Sequence, residues 1–233
     1  QLLPPHMQFQ RPRFIVFETK IHVFDCDGVL LDSNSLKLMA LRETLQDLGS
    51  PAEFIVWALE DFRSNFGRTR IEHFKNFSQY DGVMSYKLPI ESASYAMKSY
   101  GKKVESLYKS CPVVAETQSY VNKITCTNNL YVVSASDEQE LKRVLPSRIP
   151  QFTAARIFGG PVKKSENLQI VTDIHGSEKV IFYGDSIQDA KAAIQTGVFF
   201  IGLYGYSADP DSLKYFCKQN NLLFFKSCLD ISL

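Results

Sequence analysis

Apolar positions along this chain keep two rhythms. Short, nearly unbroken apolar runs at 21–24, 130–133, 180–183, 198–203 and 222–225 predict strands buried on both faces, with a further short strand at 156–158. Between them the apolar residues return at helical intervals. Leu38, Leu41, Leu45 and Leu48 predict a helix over 36–48 that stops at Gly49. Phe54, Ile55, Ala58, Leu59 and Phe62 form a second stripe, behind Pro51, which suits a first helical turn, and ahead of Gly67. Helices are also predicted over 68–80, 91–110 and 113–124. Later ones are predicted over 137–145, stopping near Pro146, over 164–174 with Gly176 beyond, around 190–194 and near 211–219.

One strand, a long helical stretch and then alternating strands and helices make the order of an α/β protein with an insertion. The alternation predicts a Rossmann-like, mostly parallel sheet with helices on both faces. Residues 14–33 and 119–233 are expected to form this core, and 34–118 a helical cap inserted into it. Residues 1–13 contain Pro4, Pro5 and Pro12 and no apolar stretch of signal-peptide length, so they read as a tail. The lack of an initial Met suggests processing or truncation.

Polar residues become informative where the strands end. Asp25 and Asp27 follow the first apolar run; two apart on an extended chain, they share a direction, and Gly28 permits a turn at positive φ. One carboxylate of such a pair can act as nucleophile or metal ligand while the other moves protons. The same residue types also make an ordinary exit turn from a strand. Ser134 and Asp185 stand directly behind two other apolar runs, however. Three polar strand ends at the carboxyl edge of one sheet lie where open α/β sheets bind ligands, and this favours chemistry over a simple turn.

Composition narrows the classes. The chain has 233 residues and 45% hydrophobic content, enough for a sizeable core. A formal net charge of +1 gives no global attraction to nucleic acid, while leaving room for a local basic pocket that takes a small anion. No apolar run approaches the ~20 residues of a spanning helix, so no membrane association is expected. Five cysteines, at 26, 111, 126, 217 and 228, form no Cys-x-x-Cys pair. Reduced thiols and a cytoplasmic location follow as the expectation. Cys26 should point away from its two flanking carboxylates, which would raise its thiol pKa and disfavour a nucleophilic role.

Taken in order, Asp25-Cys26-Asp27-Gly28-Val29, Ser134, a lysine in Gly160-Pro161-Val162-Lys163-Lys164, and Gly184-Asp185-Ser186-Ile187-Gln188-Asp189 resemble the motifs of the haloacid dehalogenase superfamily. The helical insertion resembles the cap of its phosphoglycolate phosphatase-like and β-phosphoglucomutase-like members. The resemblance implies that Asp25 attacks phosphorus to form an aspartyl phosphate, and that Asp27 protonates the leaving oxygen and later deprotonates the attacking water. It implies Mg²⁺ held by Asp25, Asp185 and the backbone carbonyl of Asp27, with Asp189 helping directly or through a water. Ser134, with the backbone at Ala135, would hold the phosphate together with a lysine. Lys164 fits the family's Pro-x-x-Lys spacing better than Lys163.

The resemblance also implies that the cap chooses the substrate. Phe66-Gly67-Arg68-Thr69-Arg70 offers two guanidiniums beside a helix start, so Arg68 and Arg70 are candidate specificity residues, although surface arginines commonly do no more than solvate a helix. His73, Tyr95, Tyr100 and Tyr108 read as packing residues. Asp27 favours phosphate-ester chemistry, because dehalogenases proper lack that acid. Asn34 departs from the Glu or Ala that often follows Asp-Ser in capped phosphatases. The implied activity is a Mg²⁺-dependent phosphatase on a small phosphorylated sugar or sugar acid. A phosphomutase using the same pair is the alternative, and a non-catalytic binding protein a third.

Overall fold

Six short strands, β1 (Ile21–Phe24), β2 (Leu130–Asp137), β3 (Ile157–Gly160), β4 (Val180–Gly184), β5 (Phe199–Leu203) and β6 (Leu223–Phe225), form one sheet in the order β3-β2-β1-β4-β5-β6. Every neighbouring pair is parallel. The computed structural model describes residues 20–80, 86–124 and 127–231. The tail expected at 1–13, the core segment 14–19 and Cys126 lie outside the described residues.

The strand sequences are apolar because both faces are covered. On one face Val23, Tyr131, Val133, Phe182 and Phe200 pack with Leu168, Val171, Ala190, Ala193 and Leu213 of α7 (Lys164–His175), α8 (Ile187–Thr196) and α9 (Pro210–Gln219). On the other, Phe24, Val132, Ile181, Tyr183 and Ile201 meet Tyr120 and Val121 of α5 (Ala115–Val121) and Leu141 and Leu145 of α6 (Glu138–Arg148). Each fully buried aliphatic or Phe side chain contributes about 1.5–3 kcal/mol relative to exposure, so these two layers hold the sheet.

Between β1 and β2 the chain forms α1 (Asn34–Asp47), α2 (Ala52–Ser64), α3 (Arg70–Ser78), α4 (Ile90–Tyr108) and α5. The five apolar residues of the second predicted stripe are the five buried residues of α2. Helix α1 packs against α2 and α4, and α3 against α4 and the end of β2, so the block touches the carboxyl edge of the sheet.

Several boundaries differ from expectation for identifiable reasons. Strand β2 continues four residues past Val133, through Ser134-Ala135-Ser136-Asp137, pairing with β3 again at Asp137 opposite Gly160 after a register shift, while the Ser136 hydroxyl meets Asp27. Helix α6 passes Pro146 and ends at Arg148. A proline near the end removes one N–H, and the last turn is closed by the Ile149 N–H on the Leu145 carbonyl and by burial of Ile149. No helix among the described residues is long and apolar enough to cross a membrane.

Candidate active site

The parallel ladder delivers Asp25 to the sheet edge: its N–H still donates to the Tyr183 carbonyl of β4 at 2.9 Å, and then the chain turns away. The Leu30 and Leu31 N–H groups both return to the Cys26 carbonyl at 2.9 Å, closing a tight loop. Gly28 sits in it at φ +72°, where a Cβ would collide with the Asp185 carboxylate and stand 2.5 Å from the Asn34 amide nitrogen. A glycine is therefore required twice over, by conformation and by the close approach of a second acidic segment.

Asp25 is buried, as are Asp27, Asp185, Asp189 and Lys164. One Asp25 oxygen accepts from the Cys26 N–H at 2.7 Å and the other lies 2.9 Å from Lys164 Nζ. Lys164 also pairs with Asp189, whose other oxygen accepts from the Ser186 N–H and hydroxyl and so caps α8. Adjacent Lys163 is exposed at the N-cap of α7; Lys164, one residue on, is the lysine that reaches the carboxylates. One ammonium is shared by two carboxylates with a third nearby. Burial, partly offset by Lys164, raises Asp25 to about 7, and burial with repulsion from Asp25 and Asp189 pushes Asp185 well up. Burial pulls Lys164 down, but Asp189 and Asp25 outweigh it and its pKa rises.

This excess of negative charge fits a divalent cation. Asp25, Asp185 and Asp189 each place an oxygen within 4.8 Å of the others, and an all-oxygen donor set suits a hard ion. Such an ion would neutralise the carboxylates and polarise a phosphoryl oxygen. Asn34 stands behind the cluster. Its amide donates to Asp185 at 2.7 Å and to the Tyr206 carbonyl at 2.9 Å, while its own Oδ1 is buried without a partner.

Asp27 occupies a different environment. Ser33 and Tyr108 hydroxyls donate to its Oδ1 at 2.6 and 2.8 Å; the Ser136 hydroxyl and Lys37 ammonium donate to its Oδ2 at 2.7 and 2.9 Å. Burial alone would raise this carboxyl, but Lys37 and the hydrogen bonds from Ser33 and Ser136 hold it down at about 2. Two carboxylates two residues apart are thus driven in opposite directions. Cys26, between them, is buried, and burial with both carboxylates raises its thiol well above the ordinary value.

Asp25, Asp27, Ser134, Ala135, Lys164, Asp185 and Arg68 all line one cavity of about 20 Å³, with Lys37 and His73 beside them and Phe62 and Phe66 of the helical block above. Asp189 reaches it only through Lys164. Arg70 does not line it: its guanidinium makes two bonds to Glu140 of α6, at 2.9 and 2.7 Å, and lies over the Tyr100 ring. Lys37, Ser33, Ser136, Tyr108 and Asn34 escape a motif-based reading. Helical spacing from Leu41 backwards places Lys37 and Asn34 on the inner face of α1, and strand alternation pairs Ser136 with Ser134, so signals for three of them were present.

The family model for haloacid dehalogenase-like hydrolases matches residues 19–197. The chain belongs to that family. No curated protein matches it. A hydrolase from Pseudomonas syringae is similar in structure with a TM-score of 0.70 at 17% identity, over 91% of this chain and 95% of that one. A provisionally assigned β-phosphoglucomutase from Bacteroides vulgatus gives 0.69 at 17%, over 93% and 87%. A provisionally assigned phosphoglycolate phosphatase from Lactobacillus plantarum gives 0.59 at 18%, over 91% and 97%. At these identities the likeness is one of fold, and for this member of the family the chemistry rests on its own residues.

Proposed function

We propose that the protein is a Mg²⁺-dependent phosphatase that hydrolyses a small phosphorylated metabolite through a phosphoryl-Asp25 intermediate. The observation that carries this reading is the convergence of Asp25, Asp27, Ser134, Lys164 and Asp185 on one cavity, with Asp25, Asp185 and Asp189 clustered as an oxygen donor set. Asp25 is fixed by the Cys26 N–H on one oxygen, leaving the other, beside Lys164, to attack phosphorus in line as the ester bond breaks. Lys164, the Ser134 hydroxyl and the backbone at Ala135 receive the phosphoryl oxygens. Asp25, Asp185 and the Asp27 carbonyl, with Asp189 behind, would hold Mg²⁺, whose charge would let a carboxylate approach a phosphate.

Asp27 carries the proton. A dianionic phosphate arriving beside it raises its affinity for a proton, which goes to the leaving oxygen; the resulting carboxylate then takes one from the water that cleaves the acyl phosphate. The cavity of about 20 Å³ has room for little more than one water, so the helices at 34–118 act as a cap that must lift to admit substrate. Phosphate release from a panel of phosphorylated metabolites with and without Mg²⁺ tests the reading. Turnover should require the metal and disappear in Asp25→Asn; isomer formation without free phosphate would make the protein a mutase instead.

A further inference from the structure

Inside the helical block, His73 of α3 faces Asp61 of α2. Nδ1 of the buried His73 ring lies 4.0 Å from Asp61 Oδ2, and both atoms are buried without a hydrogen-bond partner. The other Asp61 oxygen accepts from the Asn65 amide at 3.2 Å. The ring stacks on Phe62 with centroids 4.0 Å apart, which fixes its plane. Burial first, and then Lys37 and Arg68, lower its pKa to about 3, so at neutral pH the ring is uncharged. An uncharged imidazole has one nitrogen that donates and one that accepts. The carboxylate beside Nδ1 favours the proton there, and Nε2 keeps its lone pair.

His73 also lines the small cavity over Asp25. Once phosphorus is bonded to Asp25, in-line attack comes from the side away from Asp25, which is the side of the block. Of the block's described residues there, Lys37 and Arg68 can only donate, and the side chains of Phe62, Phe66 and Gly67 have no polar atom. Among them, His73 has the side chain that can accept.

We propose that His73, oriented by Asp61, holds the water that cleaves phospho-Asp25. The inference rests on the phosphatase reading and deepens it, because it gives a reason for transfer to water rather than to a sugar hydroxyl. One proton of the water goes to Asp27, and the other stays on the oxygen, held by Nε2. The water oxygen bonds to phosphorus as the bond from phosphorus to Asp25 breaks, and the Asp25 carboxylate is regenerated. With both protons engaged, the water's lone pair is aimed at phosphorus. His73 rides on the block, so the water is held only while the block is seated.

Rapid-quench kinetics with p-nitrophenyl phosphate and Mg²⁺ separate the two steps, since the nitrophenolate burst reports phosphorylation of Asp25 and the later rate reports its hydrolysis. His73→Phe keeps a ring against Phe62 and removes both nitrogens. It should leave the burst rate unchanged and slow hydrolysis by about a hundredfold, so that phosphoprotein accumulates; His73→Gln, which restores an acceptor, should recover part of the loss. Asp61→Asn should slow hydrolysis by about tenfold or more, and ring ¹⁵N shifts should show a protonated Nδ1 in the wild type. Hydrolysis at the wild-type rate in His73→Phe overturns the proposal, as do equal losses in both steps or a proton on Nε2 in place of Nδ1. A wild type that no phosphate ester phosphorylates would instead overturn the phosphatase reading, and this inference with it.

Discussion

Lys37 holds its ammonium 2.9 Å from Asp27 Oδ2 and 3.0 Å from the Ser136 hydroxyl, joining α1 to the buried carboxylate at the end of β1. Without that cation, burial is left to act on Asp27 with only hydroxyl donors against it. Lys37→Met should therefore shift the alkaline limb of the kcat/KM profile, which reports loss of the acid form of Asp27, to higher pH and lower kcat by about a hundredfold. A profile that keeps its alkaline limb in this variant would show that Lys37 only packs.

Asn34 and Gly28 meet at the Asp185 carboxylate, one donating to it and the other making room for it. Partners behind metal ligands typically change affinity about 10- to 100-fold. Asn34→Ala should weaken Mn²⁺ binding by that factor in paramagnetic resonance titrations, and Gly28→Ala should weaken it further, because the new methyl displaces Asp185. Wild-type affinity in either variant would remove the acidic cluster from metal binding.

Arg70 and Glu140 form a mostly buried pair between the helical block and the core, and Gly101 in the middle of α4 leaves the space it occupies: a Cβ there would lie 3.0 Å from Glu140 Oε1. Removing one member of a buried pair strands the other, at a cost of about 3 kcal/mol or more. Arg70→Met and Glu140→Gln should each lose about that much in urea unfolding, and the double variant far less than the sum. Strictly additive losses would mean that the pair contributes no coupling.

Stability of the metal-free protein should fall as pH rises through neutrality. Asp25, at about 7 in the fold against 3.8 ordinarily, keeps a proton in the native state that the unfolded chain has released, so its stabilising contribution declines from about pH 4 and is gone by about 7. Asp185, also raised, extends the fall. His73 acts oppositely: burial first, then Lys37 and Arg68, lower it to about 3 from 6.5, so its contribution grows with pH and is complete above about 6.5. Asp27, lowered to about 2, loses its contribution only in strong acid. With EDTA, Tm should thus drop as pH rises above about 6.5, where His73 no longer compensates, and Mg²⁺ should abolish the drop. A rise in Tm over that range without metal would contradict the buried carboxylate cluster.

The apolar runs were sufficient to locate the strands, since a parallel strand covered on both faces has almost no polar positions to spare. They fail where β2 runs on through Ser134 and Ser136, whose hydroxyls look like the start of a loop until the carboxyl edge of the sheet is in view. Asp25, Asp27, Asp185 and Asp189 are legible because the turn that follows each strand is local and its residues are adjacent in the chain. The lysine choice is legible only as a spacing, whereas geometry brings Lys164 to both carboxylates and leaves Lys163 at the surface.

Local order along the chain thus specifies which segments are strands and helices, and which carboxylates stand at strand ends, because those properties depend on neighbours within a few residues. The pairing of Lys37 with Asp27, the reach of Asn34 across 151 residues to Asp185 and the commitment of Arg70 to Glu140 depend on how the inserted helices pack over the sheet edge. The Lys37 contact keeps Asp27 charged, while burial pushes Asp25 and Asp185 towards the neutral form. Burial and nearby charge decide that state, and both are properties of the folded whole.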